Sequence, residues 1–316
     1  MKLNIDILAC PLCKNGLVEK SHKFYCENTI CFHHKSSFPQ IINNKPILID
    51  SNNSLLNIET LINTSAISLV KRGERFNFLT RTIRRLLNGS NKVTKSNVKL
   101  IIEELNKIQD SKILIIGGGT IGAGMNALYE TYTSNIISFD VYDSNNIDLI
   151  ADAHSLPFKN DKFDLIVIQA VIEHVFDPIQ VVSECFRVLK PNALIYAETP
   201  FLQHVHEGAF DFTRYTNLGH RILFNKFKKI KSGYIGGLGQ SFLWSLEYLI
   251  SGIFRSRIAG KITKIIFFWI RWVEFIIPSS WNSDGACGNY FIGKKVSEQV
   301  YFLNNEIISE YDGAQN

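Results

Sequence analysis

The sequence lacks an uninterrupted apolar run long enough to cross a bilayer. Its opening residues, MKLNIDILACPLCK, hold too short an apolar stretch for an export signal. It also lacks a strong charge bias: 34 Lys and Arg face 29 Asp and Glu, a formal net charge of +5. That balance permits contact with phosphates or anionic lipid without requiring it. Cysteine is scarce beyond residue 31, where Cys185 and Cys287 stand alone and far apart. Four cysteines crowded at one end of a chain with no export signal argue against a disulfide framework. They favour a metal site in a reducing compartment, so the expected address is cytoplasmic. What is present, 46% apolar and 20% charged residues over 316 positions, is a globular composition with room for one large domain and a small one.

The N-terminal cysteines are spaced Cys10-x2-Cys13 and then Cys26-x4-Cys31. Two pairs on short turns joined by a hairpin can supply four thiolates to a tetrahedral Zn²⁺, and four thiolates leave no open catalytic position. Pro11 and Gly16 supply turn chemistry around the first pair. In FYCENTICFHH, His33 or His34 could stand in for Cys31 as the fourth ligand. A segment of about forty residues builds too small a core alone, which suits a structural metal. With the following SSFPQIINNKPILI, this segment resembles the small zinc-ribbon family that activates tRNA and rRNA methyltransferases. Asn44 takes the place of that family's glycine, and the second cysteine pair is spaced more widely.

Residues 1–50 are therefore read as a zinc ribbon and 51–110 as a helical linker. Within the linker, Phe76, Leu79, Ile83 and Leu86/Leu87 recur on one helical face. Arg72, Arg75, Arg81, Arg84 and Arg85 fall mostly on the rest, as a solvated face or a phosphate-binding stripe. Asn88-Gly89 ends that helix, and VKLIIEELNKIQD begins the next.

From Ile113 to Pro200, apolar strand-like runs alternate with glycine-rich or acidic turns and helix-like segments, the pattern of a parallel sheet covered by helices. The run KILII feeds Gly117, Gly119 and Gly122, which let backbone N–H groups approach a ligand at a helix mouth. That loop alone also matches a dinucleotide fingerprint. Asp140 follows about twenty residues on, placed for ribose hydroxyls in either class.

The order LIADAHSLPF, FDLIVIQAVIEHVFDP and RVLKPNA resembles class I S-adenosylmethionine-dependent methyltransferases of the type 11-like group, from Ile113 to about Lys231. The resemblance implies an α/β, Rossmann-like seven-stranded sheet over 111–316 and S-adenosyl-L-methionine as methyl donor. It implies that Asp152 accepts from the adenine amino group, that Ala153 and His154 flank the base, and that Gln169 borders the donor. His174 opens the next helix, as a site residue or a support. The acid common two residues before the first glycine is replaced by Ile115, and the span between Asp140 and Asp152 is too short for a crossover helix.

The stretch ETPFLQHVHEGAFDFTRYT resembles a methyltransferase subgroup often linked to cell-surface polysaccharide or lipid pathways. It places His204 and His206 as candidate bases, Asp211 to orient a ring and Arg214 to grip an anionic acceptor. Asp211 and Arg214 could equally form an ion pair that locks the loop. FKKIKSGYI and GNYFIGKKV read as an antiparallel edge pair around an apolar insertion at about 240–280, interrupted by Glu247, Arg271 and Glu274. That insertion suits a lid, a homodimer contact or a peripheral membrane face. The expected activity is methyl transfer to an oxygen or nitrogen of a small-molecule, sugar or lipid-linked acceptor. RNA methylation with nucleic acid held by the ribbon and the arginine helix, or a non-catalytic scaffold, are the alternatives.

Overall fold

The structure, a computed structural model, describes residues 3–40, 45–51, 54–64, 91–296 and 306–315. The arginine-bearing helix expected in the linker lies outside those residues. A short hairpin, β1 (Leu17–Lys20) and β2 (Lys23–Cys26), precedes one mixed sheet. Its strands are β3 (Ile47–Leu48), β4 (Ile113–Ile116), β5 (Ile136–Asp140), β6 (Leu149–Ala151), β7 (Phe163–Gln169), β8 (Leu189–Pro200), β9 (Phe227–Ile235) and β10 (Gly288–Lys295). Their spatial order is β3-β6-β5-β4-β7-β8-β10-β9. All pairs from β3 to β8 are parallel, and β10 runs antiparallel to both its neighbours.

The near-continuous apolar runs of the central strands follow from burial on both faces. Along β4, Leu114 and Ile116 join one core layer while Ile113 and Ile115 join the other. The helix Lys92–Leu105 covers the second layer with Val98, Ile101 and Leu105, its start capped by Asn91 accepting from Thr94 N at 3.1 Å. Across the sheet, Pro178–Val188 begins with proline after a capping Asp177 and buries Val181, Val182, Cys185 and Val188. The chain passes from β5 to β6 by a turn, as the short spacing requires.

Among the described residues the sheet has the seven strands expected over 111–316 and one more. The extra strand, β3, comes from the N-terminal segment and pairs Ile47 with Ile150 and Leu48 with Ala151. It covers an edge of β6 that would otherwise present unpaired backbone groups. Leu8 also bridges Phe158, and Ala9 N donates to Pro157 O at 3.0 Å, so the cysteine-bearing segment shares the main core.

Between β9 and β10 lies the expected insertion: helices Leu238–Ile253 and Arg257–Ile266, a 3-10 run Phe268–Phe275 and a helix Ser279–Asp284. Gly260 lets the first two approach closely, since a Cβ there would sit 2.6 Å from Glu247 O. Lys264 and Glu247 pair across them at 3.1 Å. Phe254, Ile258, Trp272, Phe275 and Ile276 remain exposed on the outside. No described helix is long and apolar enough to cross a membrane.

Candidate active site and cysteine centre

The chain turns tightly after Cys10: Lys14 N donates to Cys10 O at 2.8 Å, and Lys14 takes a left-handed conformation with φ 62°. This brings Cys10 and Cys13 against Cys26 at the end of β2 and Cys31 beyond it. The sulfurs of Cys10 and Cys31 lie 3.8 Å apart, and those of Cys13 and Cys26 lie 3.4 Å apart. Four sulfurs around one zinc would be separated by about 3.8 Å, from Zn–S bonds of about 2.3 Å in a tetrahedron. All four cysteines are free thiols here. Both histidines point elsewhere. His33 stacks on Phe38 at 3.8 Å, and His34 Nδ1 meets Cys26 O at 2.9 Å. Cys31 thus completes the cluster. Burial raises the Cys26 thiol to about 12 and pushes Cys10 up as well, a cost to ionisation that a bound cation would offset.

Two adjoining cavities of about 200 and 320 Å³ open where the strand order reverses beside β4. Open α/β sheets bind ligands at such a switch point. Gly117, Asp140, Asp152, Ala153 and His154 line the first, and Gly117, Gly122 and Gln169 the second. Gly117 sits at φ +75°, where a side chain would be strained and would run into Val171. A Cβ at Gly119 would meet Asp140 Oδ2 at 2.7 Å. Instead, Gly119 N donates to that oxygen at 2.8 Å, so Asp140 braces the loop as well as facing the cavity.

Asp152 follows β6 almost fully buried. Its Oδ1 accepts from His154 N at 2.9 Å and meets His154 Nδ1 at 2.6 Å. His154 Nε2 in turn accepts from Asp177 N at 3.0 Å, which places the ring proton on Nδ1. Ser54 Oγ donates to the other Asp152 oxygen. Burial alone would raise the Asp152 pKa, but the bonds from His154 and Ser54 outweigh it and hold the carboxyl below its usual range. Ser54 brings Leu55, Leu56 and Leu61 over the first cavity. In sequence this stretch falls in the expected linker, and its NSLLNI run is the available signal.

Ile115, at the position where the resemblance led to the expectation of an acid, lines the second cavity. Two acids line that cavity, Glu207 and, from the end of β8, the buried Glu198. Glu198, 6% exposed, accepts from Gln169 Nε2 at 2.6 Å and from the hydroxyls of Thr94 and Tyr196. Burial raises its pKa despite those bonds. Between the two cavities, Ala170 adopts φ 53°, a left-handed strain of the kind found at ligand sites.

The acceptor-side residues divide. His206 lines the second cavity, whereas His204 stacks on Tyr248 of the insertion at 4.4 Å. Asp211 Oδ2 accepts from His206 N at 2.9 Å and lies 3.3 Å from His206 Nδ1. Of the two readings of Arg214, an anion grip or a loop-locking ion pair with Asp211, its contacts favour the second. Its five N–H donors bind Gln203 O, His204 O, Thr213 O and both Asp211 oxygens. Arg214 locks the loop that carries His206. His174 lines both cavities, with Nδ1 at 2.7 Å from Phe210 O. Burial lowers its pKa. Beside it Glu173 is 0% exposed, and neither carboxylate oxygen has a hydrogen-bond partner. Burial raises the Glu173 carboxyl to about 8. In the sequence Glu173 is only the acid before His174, with no signal of this burial.

A glycine-braced loop, acids at the ends of two neighbouring strands and a pocket at the switch point give the ligand-binding geometry of a Rossmann-like α/β domain. Residues 116–197 match the family described as "Methyltransferase domain". A Mycolicibacterium smegmatis protein named as an S-adenosylmethionine-dependent methyltransferase is 47% identical over 45 residues, 14% of this chain and 18% of the relative. The demethylmenaquinone methyltransferase of Renibacterium salmoninarum is 24% identical over 148 residues, 43% of this chain and 61% of the relative. The chain thus spans less than two thirds of either curated relative. A SAM-dependent methyltransferase structure from Archaeoglobus fulgidus aligns with a TM-score of 0.41 at 15% identity, over 69% of this chain and 100% of that one.

Proposed function

We propose that the protein transfers a methyl group from S-adenosylmethionine to an oxygen of a hydroxylated small-molecule, sugar or lipid-linked acceptor, with nitrogen acceptors as the neighbouring class. The observation that carries this reading is the adjacency of two cavities. One is bounded by Asp152, Ala153 and Asp140, the other carries His206 on an Asp211-braced loop. When bound, the donor supplies an activated methyl on a sulfonium. Asp152 and His154 define the adenine end, Asp140 the ribose, and the N–H groups around Gly117 and Gly119 the backbone approach. Glu198 with Gln169 supplies the acidic lining that Ile115 does not. On the acceptor side, positioning supplies much of the rate. The Nε2 lone pairs of His174 and His206 are the groups available for the proton that a hydroxyl sheds.

The four-cysteine cluster is read as a structural zinc site, since its donor set and spacing fit Zn²⁺ and leave no open position. The exposed aromatic face of the insertion, flanked by Arg257 and Lys261, supports peripheral membrane contact or homodimerisation within a cytoplasmic protein. Calorimetry with S-adenosylmethionine, paired with mass spectrometry of polar and lipid extracts for a gain of one methyl mass, tests the reading. Absence of donor binding overturns it. Binding without turnover on any extract favours the scaffold alternative.

A further inference from the structure

We propose that Glu173, His174 and His206 form a divalent-cation site facing the acceptor cavity, with open positions for two neighbouring oxygens of the acceptor. The proposal deepens the reading of the paired cavities as donor and acceptor sites and rests on it. One carboxylate oxygen, Glu173 Oε1, lies 3.6 Å from His174 Nε2 and 3.9 Å from His206 Nε2. All three ligand atoms fall within 4.8 Å of one another. Metal bonds to nitrogen and oxygen run at about 2.0–2.2 Å, so small rotations bring the three onto one ion.

Three independent features prepare these side chains for that task. Glu173 is fully buried, yet both its oxygens lack hydrogen-bond partners. A native fold seldom leaves such a group uncompensated, and an unmet carboxylate aimed at two imidazoles calls for a cation. Each imidazole is also held from behind. Phe210 O at 2.7 Å takes the Nδ1 proton of His174, leaving Nε2 as a lone pair. His204 O at 3.3 Å does the same for His206, with Asp211 Oδ2 also 3.3 Å from that nitrogen. A histidine whose far nitrogen rests on a carbonyl or carboxylate is the usual arrangement of a metal ligand. Finally, Arg214 does not compete, because it spends its donors on Asp211 and on backbone carbonyls.

Two imidazoles and one carboxylate leave room for further oxygen ligands on an octahedral ion. An acceptor with two adjacent oxygens, such as a vicinal diol, would chelate it. Coordination would ease loss of the hydroxyl proton to solvent. The oxygen would then form a bond to the methyl carbon as the carbon–sulfur bond breaks, with the electron pair staying on sulfur. In the loaded protein the Nε2 lone pairs hold the cation in place of a proton.

The test is an electron-paramagnetic-resonance titration of Mn²⁺ into full-length, zinc-replete protein, without donor or acceptor. Mn²⁺ favours oxygen and nitrogen over thiolate, so the cysteine cluster does not compete. The expected result is one bound Mn²⁺ per chain, weakened at least about tenfold in both Glu173→Gln and His206→Ala. His204→Ala should leave it unchanged. No binding at millimolar Mn²⁺, or binding indifferent to both variants, overturns the site. His206 is partly exposed on a loop, so its variant decides the matter if Glu173→Gln does not fold. Donor affinity is measured separately by calorimetry, so a failed metal site and a failed donor site are told apart.

Discussion

Replacing Asp152 with asparagine keeps the shape of the side chain and removes its charge. In the structure one oxygen serves His154 and the other serves Ser54 at the lining of the first cavity. The asparagine carbonyl can still accept from His154, and its amide can turn to donate to Ser54. The turn after β6 should therefore survive. What is lost is a charged acceptor for the adenine amino group. A hydrogen bond to a charged partner contributes about 1.5–3 kcal/mol, which is about ten- to 150-fold in Kd. Calorimetry with S-adenosylmethionine should show weakening in that range, with a melting curve close to wild type. An unchanged Kd in a folded Asp152→Asn protein refutes the placement of adenine. If affinity and melting temperature collapse together, the carboxylate is holding the fold and not the base.

The acceptor histidines should separate cleanly. His206→Ala is expected to lower kcat about 10²- to 10⁴-fold once an acceptor is found, while His204→Ala, stacked on Tyr248, should change it little. Equal losses in both would contradict the assignment. Metal analysis should find about one zinc per chain, and chelation should unfold the region of β1 and β2; a metal-free protein that stays folded there removes the zinc reading. His220 is 2% exposed, and burial holds its pKa down at about 3. Between that value and the ordinary 6.5, only the unfolded chain takes up the proton, so stability should fall on acidification by about 1.4 kcal/mol per pH unit below pH 6.5. Urea melts of His220→Gln between pH 7 and 5 should show a shallower fall than wild type, and parallel curves would show that His220 is not the titrating group.

The sheet was legible because its signals are local. Period and composition marked β4, β5, β7 and β8, and the short Asp140-to-Asp152 spacing correctly left no room for a helix. The β9–β10 pair with its insertion was readable for the same reason. The eighth strand was not, because Ile47 and Leu48 make only a two-residue strand, paired with a β6 that lies far along the chain. The site split along the same line. Gly117, Asp140 and Asp152 sit at strand ends fixed by the chain's own order. The choice of His206 over His204 depends on a loop held by Arg214, and no spacing rule reports where five guanidinium donors go. Glu173 stayed silent because an acid beside a histidine looks the same in sequence whether it is solvated or buried without partners.

The cysteine module does more than close an edge. Lys14, in its tight turn, reaches Ser155 Oγ at 2.6 Å and Glu184 at 2.9 Å, and Ser155 donates back to Pro11 O at 2.6 Å. Those contacts clamp the turn that begins with Asp152 and ends at Leu156, whose N donates to the same Glu184 at 2.8 Å. The residues after the module then return Ser54 to Asp152 itself. The cysteine-bearing segment thus buttresses the Asp152 end of the pocket from two sides. Lys14→Met should leave Glu184 paired with Arg187 and the module folded, while loosening that turn. With Lys14 part-exposed, the pair is worth about 1 kcal/mol, so donor affinity should fall about fivefold. If affinity is unchanged while the module alone melts earlier, the ribbon is a tethered neighbour, and the buttress argument fails.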